Sequence, residues 1–268
     1  MRSLSALVLI AAAIDPAGAA DMGAPPTLMP SPHWGGSFIG VQGGYAFGGN
    51  PVEFTTATGA LAPELGATIP FSAAGSPAGG IIGARWGTNW QSGSWVYGFL
   101  SDFSFSDIRA SETVTLTSGA LGTRTTVTEQ ELNWFGTTRV RAGYLVNDNF
   151  LLYGSGGLAS GTGKVTVSSV VPGAACAAGT LACLFGSESE SLWGWAAGVG
   201  AEYQIGQWSL SLDYIHYDLG RQDIAVVDLP NPAFVNASTR FSGDMVRGAV
   251  NYRFNWTFFD VLTGAVRP

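Results

Sequence analysis

Residues 192–205 read Leu192-Trp193-Gly194-Trp195-Ala196-Ala197-Gly198-Val199-Gly200-Ala201-Glu202-Tyr203-Gln204-Ile205. Trp193, Trp195, Ala197, Val199, Ala201, Tyr203 and Ile205 alternate with Gly194, Gly198, Gly200, Glu202 and Gln204. A period of two places each set on its own face of a β-strand. Gly206-Gln207 makes a two-residue turn, and residues 208–219 repeat the pattern, with Trp208, Leu210, Leu212 and Tyr214 opposite Ser209, Ser211 and Asp213. Residues 241–254 do the same with Val246, Val250, Tyr252 and Phe254 against Arg247, Asn251 and Arg253.

Five further segments precede these. Residues 36–48 set Ile39, Val41, Tyr45 and Phe47 against Gly40, Gln42 and Gly44. Residues 79–90 set Ile82, Ala84, Trp86 and Trp90 against Gly83, Arg85, Gly87 and Asn89. Residues 95–106 carry Trp95, Tyr97, Phe99, Phe103 and Phe105 opposite Gly98, Asp102 and Ser104. Residues 130–146 carry Leu132, Trp134, Val140, Ala142, Tyr144 and Val146 opposite Thr137, Arg139, Arg141 and Gly143. The fifth, from Phe150 to about Val167, is ambiguous in phase because Leu151 and Leu152 are both apolar. Short turns at 91–93, 147–149 and 206–207 alternate with long polar stretches at about 49–78, 107–127, 168–189 and 220–238. Eight strands joined in this rhythm predict an all-β, antiparallel up-and-down transmembrane barrel over 34–254. The Ser, Thr, Gly and Ala of the long stretches read as exposed, mobile outer loops.

The two faces assign the sides of that barrel. Charge on alternating positions of a spanning strand is costly against hydrocarbon. Arg85, Asp102, Arg139, Arg141, Glu202, Asp213, Arg247 and Arg253 are therefore expected to point into the lumen as a packed ionic plug. An eight-stranded bore is just wide enough for side chains to fill. Glu202 and Asp213, on the two strands of one hairpin, are expected near each other, with Arg247 as their shared cation. The opposite face, with Tyr45, Trp86, Trp95, Tyr97, Phe99, Trp134, Tyr144, Trp195, Tyr203, Trp208, Tyr252 and Phe254, is expected to meet lipid and form aromatic girdles. Alternation alone also fits a soluble barrel of the lipocalin type, apolar within. Composition separates the two. Charged residues make up 12% of the chain, Gly 38 of its 268 residues, and there are 9 Trp and 15 Phe. A soluble surface needs more charge than that.

Export is legible at the N-terminus. Arg2, the apolar run Leu4 to Ile14 and the small residues Gly18-Ala19-Ala20 have the form of a secretory signal over 1–20. The run is near half the length of a membrane-spanning helix. Residues 21–33 are Pro-rich and read as a periplasmic tail, and 255–268 as a short C-terminal one. An oxidising compartment allows Cys176 and Cys183, with six residues between them, to form a small disulfide loop. Two thiols without a nearby His fall short of a zinc site. A net charge of −7 with no basic block argues against nucleic acid. The two histidines are His33, in the tail, and His216, near the outer rim. No Ser is spaced against His216, so neither a catalytic site nor a cofactor or small-molecule substrate is expected. A rim lipid hydrolase and a small passive pore remain the alternatives.

Several motifs together resemble a known family: Trp34-Gly35-Gly36-Ser37-Phe38-Ile39-Gly40 with Gly43-Gly44-Tyr45, Gly136-Thr137-Thr138-Arg139-Val140-Arg141-Ala142-Gly143-Tyr144, Leu152-Tyr153-Gly154-Ser155-Gly156-Gly157-Leu158-Ala159, Gly198-Val199-Gly200-Ala201-Glu202-Tyr203 and Val246-Arg247-Gly248-Ala249-Val250-Asn251-Tyr252-Arg253-Phe254. They are similar to the porin-family, OmpA-like outer-membrane immunogenic proteins of Brucella, Rhizobium and Bradyrhizobium, over about Trp34 to Phe254. The resemblance implies an abundant surface antigen and envelope stabiliser. Its implied partners are outer-membrane lipid and lipopolysaccharide, with the barrel-assembly machinery during biogenesis. Two departures stand out. Asp213-Tyr214 replaces the Glu-Tyr of many members, and the chain runs on past Phe254, the aromatic at which many members end.

Overall fold

A computed structural model of the chain describes residues 33–228 and 231–256. Ten strands form: β1 (Gly36–Phe47), β2 (Val52–Ala57), β3 (Ser72–Ala73), β4 (Ala78–Ser92), β5 (Trp95–Ser118), β6 (Gly122–Asn147), β7 (Phe150–Val170), β8 (Cys183–Ile205), β9 (Trp208–Val227) and β10 (Phe234–Arg253). Eight of them, β1 and β4 to β10, make a ring of antiparallel neighbours in chain order, closed by β1 on β10 from Phe38↔Arg253 to Phe47↔Asp244. Closure extends slightly past the last strand: Phe254 N–H donates to Ser37 O (2.7 Å) and Ser37 N–H to Trp256 O (2.8 Å). The expected signal segment and all but His33 of the N-terminal tail lie outside the described residues, as does the C-terminal tail beyond Trp256.

Below the outer rim, the alternation of the sequence becomes an apolar exterior. Val41, Ile82, Val140, Leu158, Val199 and Leu212 are exposed on the outer wall. Strand β7 resolves its ambiguous phase by turning Leu151 inward and Leu152 outward.

The long polar stretches are in large part strand rather than loop, although residues 171–182 remain outside the strands. Strands β5 and β6 run 24 and 26 residues, against the about 9–11 needed to cross a bilayer. The excess continues the barrel wall upward. Thr115, Thr117, Thr123 and Thr125 extend the β5–β6 hairpin and pair their hydroxyls across it. Threonine is β-branched and suits a strand with one wet face. The stretch after β1 also folds: β2 pairs with β10 above the point where β1 ends, from Val235↔Ala57 to Ser238↔Glu53, and a 3-10 helix over Gly59–Glu64 follows it.

In this upper section the polarity of the barrel is reversed. Phe54, Leu61 and Ile69 from the β1–β4 connection are buried with Val167, Leu184 and Val226 from the walls. Two strands change inward phase to achieve this. On β6 the register shifts between Leu132 and Phe135, so Leu132, expected on the lipid face beside Trp134, is buried. On β9 Gly220, at φ +88°, allows the bulge after which Gln222, Ile224 and Val226 face inward.

The upper core makes a stability prediction. Leu61→Ala should lower the unfolding free energy by about 2–5 kcal/mol, whereas Leu121→Ala, at an exposed turn, should stay within about 0.5 kcal/mol. Denaturant unfolding of the detergent-folded protein, followed by tryptophan fluorescence, measures both.

Candidate functional site: the charged lumen

Position along each strand decides which side chains enter the bore. Arg85 on β4, Asp102 on β5, Arg139 and Arg141 on β6, Glu202 on β8, Asp213 on β9, and Arg247 and Arg253 on β10 all lie on inward positions and are buried, none exposing more than 4% of its surface. Their partners are not the residues beside them. Asp102 is the strand neighbour of Arg85, and Asp213 that of Arg247. Each acid nevertheless pairs with the other's neighbour, across the lumen. Arg85 Nη1 donates to Asp213 Oδ2 (2.9 Å) and to Ser211 Oγ (2.8 Å). Arg247 Nη1 and Nη2 donate to the two oxygens of Asp102 (2.9 and 3.2 Å). The two ties run from β4 to β9 and from β5 to β10, each joining strands three places apart in the ring of eight.

Each carboxylate has further donors. The Thr137 hydroxyl donates to Asp102 (2.5 Å), and Arg139 Nη2 lies 3.4 Å from the same oxygen. Arg139 is held in turn by Thr137 (3.0 Å) and Ser155 (2.8 Å). The Tyr153 hydroxyl donates to Asp213. A Cβ on Gly200 would stand 2.6 Å from both Asp213 Oδ1 and Tyr153 Cζ, so a glycine is needed there for that contact. Nearer the short turns, Arg141 Nη1 donates to Glu202 (2.8 Å) and Nε to Asn89 (2.9 Å). Its guanidinium lies between the rings of Phe38 and Tyr153, 5.0 and 5.1 Å from their centroids. Arg253 lies 4.0 Å from Glu202 and covers the Trp34 ring at 4.8 Å.

One expectation is overturned. Arg247 does not stand between Glu202 and Asp213. Asp213 is already occupied by Arg85 and Tyr153, Glu202 by Arg141, and Arg247 reaches across to Asp102. Sequence reading also missed Tyr153, hidden by the Leu151-Leu152 ambiguity, and Arg124, which lies in a stretch read as loop. Arg124 is buried in the upper section, where it bonds Glu64 (2.8 Å) and the carbonyl of Leu181 (2.9 Å).

On the outer wall, Tyr45, Trp86, Trp95, Tyr97, Phe99, Tyr144, Trp195, Tyr203 and Trp208 are exposed. Trp134, Tyr252 and Phe254 are half-buried, because Trp134 stacks on Phe103 (5.6 Å) and Tyr252 sits between Trp208 and Phe254 (5.0 and 5.3 Å). His216, also on the outer wall, bonds Asp244 (2.9 Å), which accepts from the Tyr214 hydroxyl as well (2.8 Å). Cys176 and Cys183 form a disulfide. Within the loop it closes, the N–H groups of Gly179 and Leu181 bind the Asp228 carboxylate (3.1 and 2.7 Å). Among the described residues no group of three or more His, Cys, Asp or Glu is arranged to hold a metal.

Residues 56–254 match a family model described as outer membrane protein beta-barrel domain. The 31 kDa outer-membrane immunogenic protein of Brucella melitensis biotype 1 is 30% identical over 223 residues, covering 82% of this chain and 84% of that protein. A 22 kDa outer membrane protein of Rhizobium leguminosarum bv. viciae is 31% identical over 138 residues, 51% of each chain. Among solved structures, the outer membrane protease OmpT of Escherichia coli aligns over 82% of this chain and 97% of its own, with 9% identity and a TM-score of 0.44. That likeness is too loose to bear on activity.

The cross-lumen ties predict that Asp213→Asn costs about 3–5 kcal/mol, because Arg85 is then buried without a counter-charge. Adding Arg85→Met to that variant should recover part of the loss. A double-mutant cycle read from unfolding midpoints gives the coupling.

Proposed function

The chain belongs to the outer membrane protein β-barrel domain family, and from that premise we propose that it serves the envelope as a filled, non-conducting surface barrel. It is an outer-membrane protein in a lipid environment and a member of a group whose curated relatives bear the name of immunogenic proteins. The proposal adds a structural role: a rigid pillar that anchors in the bilayer and presents a folded surface above it. In this reading residues 1–20 are an export signal, 21–33 a periplasmic N-terminal tail and 255–268 a short C-terminal tail, and the barrel-assembly machinery inserts the ring. Lipopolysaccharide is the lipid that its outer girdle meets.

The observation that supports this reading is which side chains are buried along the inside of the ring. Charged side chains join β4 to β9, β5 to β10 and β6 to β8 across the lumen. Above them, Phe54, Leu61 and Ile69 are buried in one apolar cluster with Val167, Leu184 and Val226 of the upper walls. Solute-passing porins usually have 16–18 strands, about twice the number here. Support for a non-catalytic role comes from His216. Its ring accompanies Asp244 and Tyr214 on the outer wall, and these two with Trp195 supply its hydrogen-bond and ring environment, with no Ser, Thr or Cys among them. Polarity of this kind suits an interfacial position beside aromatic residues.

Planar-bilayer recording tests the proposal. The purified protein should give no steps of porin size, and the boiled and unboiled forms should migrate differently on a gel. Sustained unitary conductance of the wild-type chain would replace this reading by that of a small passive pore.

A further inference from the structure

The membrane-level lumen holds five arginines and three carboxylates: Arg85, Arg139, Arg141, Arg247 and Arg253 against Asp102, Glu202 and Asp213. Guanidinium does not deprotonate in proteins. The three acids supply at most three negative charges, so the lumen carries an excess of at least two positive charges. Protonating an acid only enlarges that excess. Ionising Tyr153 would set a phenolate against Asp213, to which its hydroxyl donates. Water can satisfy an unbonded donor but cannot supply a countercharge.

The excess is not all at one place. Arg253 lies at the short-turn end, six residues along β10 from Arg247, against Trp34 and 4.0 Å from Glu202. The deep excess is around Asp102, where one carboxylate serves both Arg139 and Arg247. Buried donors there have no partner among the described residues: Nε and Nη2 of Arg85, and Nε of Arg247. Arg85 and Arg247 are themselves fully buried. Uncompensated charge in such surroundings costs several kcal/mol, while a charge-assisted bond to an anion satisfies donor and countercharge together.

We propose that the lumen is a binding site for a small inorganic monoanion of chloride size, held between Arg85 and Arg247 beside Arg139. The site goes beyond the structural role proposed above and does not depend on whether the bore conducts. An anion there completes the charge balance of the cross-lumen ties and makes the barrel's stability depend on halide.

The test uses the whole protein extracted from the outer membrane into detergent. It is melted in sodium chloride, sodium bromide and sodium gluconate at equal ionic strength. Both halides should raise the midpoint over gluconate by roughly 5 °C, as expected for a ligand well above its dissociation constant in a barrel of this size. Arg139→Gln keeps the bidentate Arg247–Asp102 pair but removes the deep excess, and should abolish the difference. Arg85→Lys keeps the charge but loses the unpartnered donors, and should reduce it. Arg253→Gln should leave it intact. In bromide-grown crystals an anomalous peak should lie within hydrogen-bond reach of Arg85 and Arg247. Equal midpoints in all three salts for the wild-type protein, a halide effect that persists in Arg139→Gln, or bromide only on the outer surface would each overturn the site.

Discussion

A hydrocarbon bilayer offers no hydrogen-bond partner, so every backbone N–H and C=O inside it must find one within the chain. For strands the only complete solution is a ring. The structure depends on this constraint: each of the eight spanning strands is paired on both sides, and β1 meets β10 over its whole spanning length. The bonds between Ser37 and residues Phe254 and Trp256 carry the seam past the last strand. A ring of eight fixes the bore, and the bore fixes how much side chain must occupy it. The remaining organisation follows from what fills that space.

Filling the bore with charge works because the ties cross it. Arg85 and Asp102 are strand neighbours, as are Asp213 and Arg247. Pairing between neighbours would add little, since the backbone ladder already holds them. Exchanged pairing links walls that share no hydrogen bond. It also links the register of β4 with that of β9, and of β5 with β10. A slip of one residue would aim those charges at lipid, so the cross-lumen pairs reinforce the register that the ladder sets.

Much of this was legible in the sequence because the bilayer imposes a simple code. Where one face meets lipid and the other a polar bore, alternation is strict, and residues 197–205 and 208–214 display it without interruption. The code failed at identifiable places. Leu132 follows the alternation of its segment until a bulge reverses it, and a bulge depends on pairing that a single strand does not display. Adjacency along the strands points Arg247 toward Asp213, whereas long side chains reach across a narrow bore to Asp102. The upper walls resemble loops in the sequence because Thr and Ser match loop composition when the alternating partner is sometimes Val and sometimes another Thr, as in residues 123–128. Above the membrane the outer face is wet, so the apolar-out pattern that identified the lower strands is absent. Nothing in the local sequence shows that residues 52–73 fold back to supply the missing wall and the core.

The reversal of polarity along the barrel axis has one physical origin. In the upper section water surrounds the wall, and burying Phe54, Leu61 and Ile69 removes apolar surface from it, so the hydrophobic effect itself selects the inside. At membrane depth that selection is lost, because lipid is as apolar as any core that the barrel could build. An apolar bore there would leave the strands free to face either way. Charge restores the distinction, because a guanidinium or carboxylate facing hydrocarbon is costly and one facing a partner across the lumen is not. The ionic lower half and the apolar upper half are therefore the same requirement, one defined inside, met in two solvents. The phase changes on β6 and β9 lie where one solvent gives way to the other.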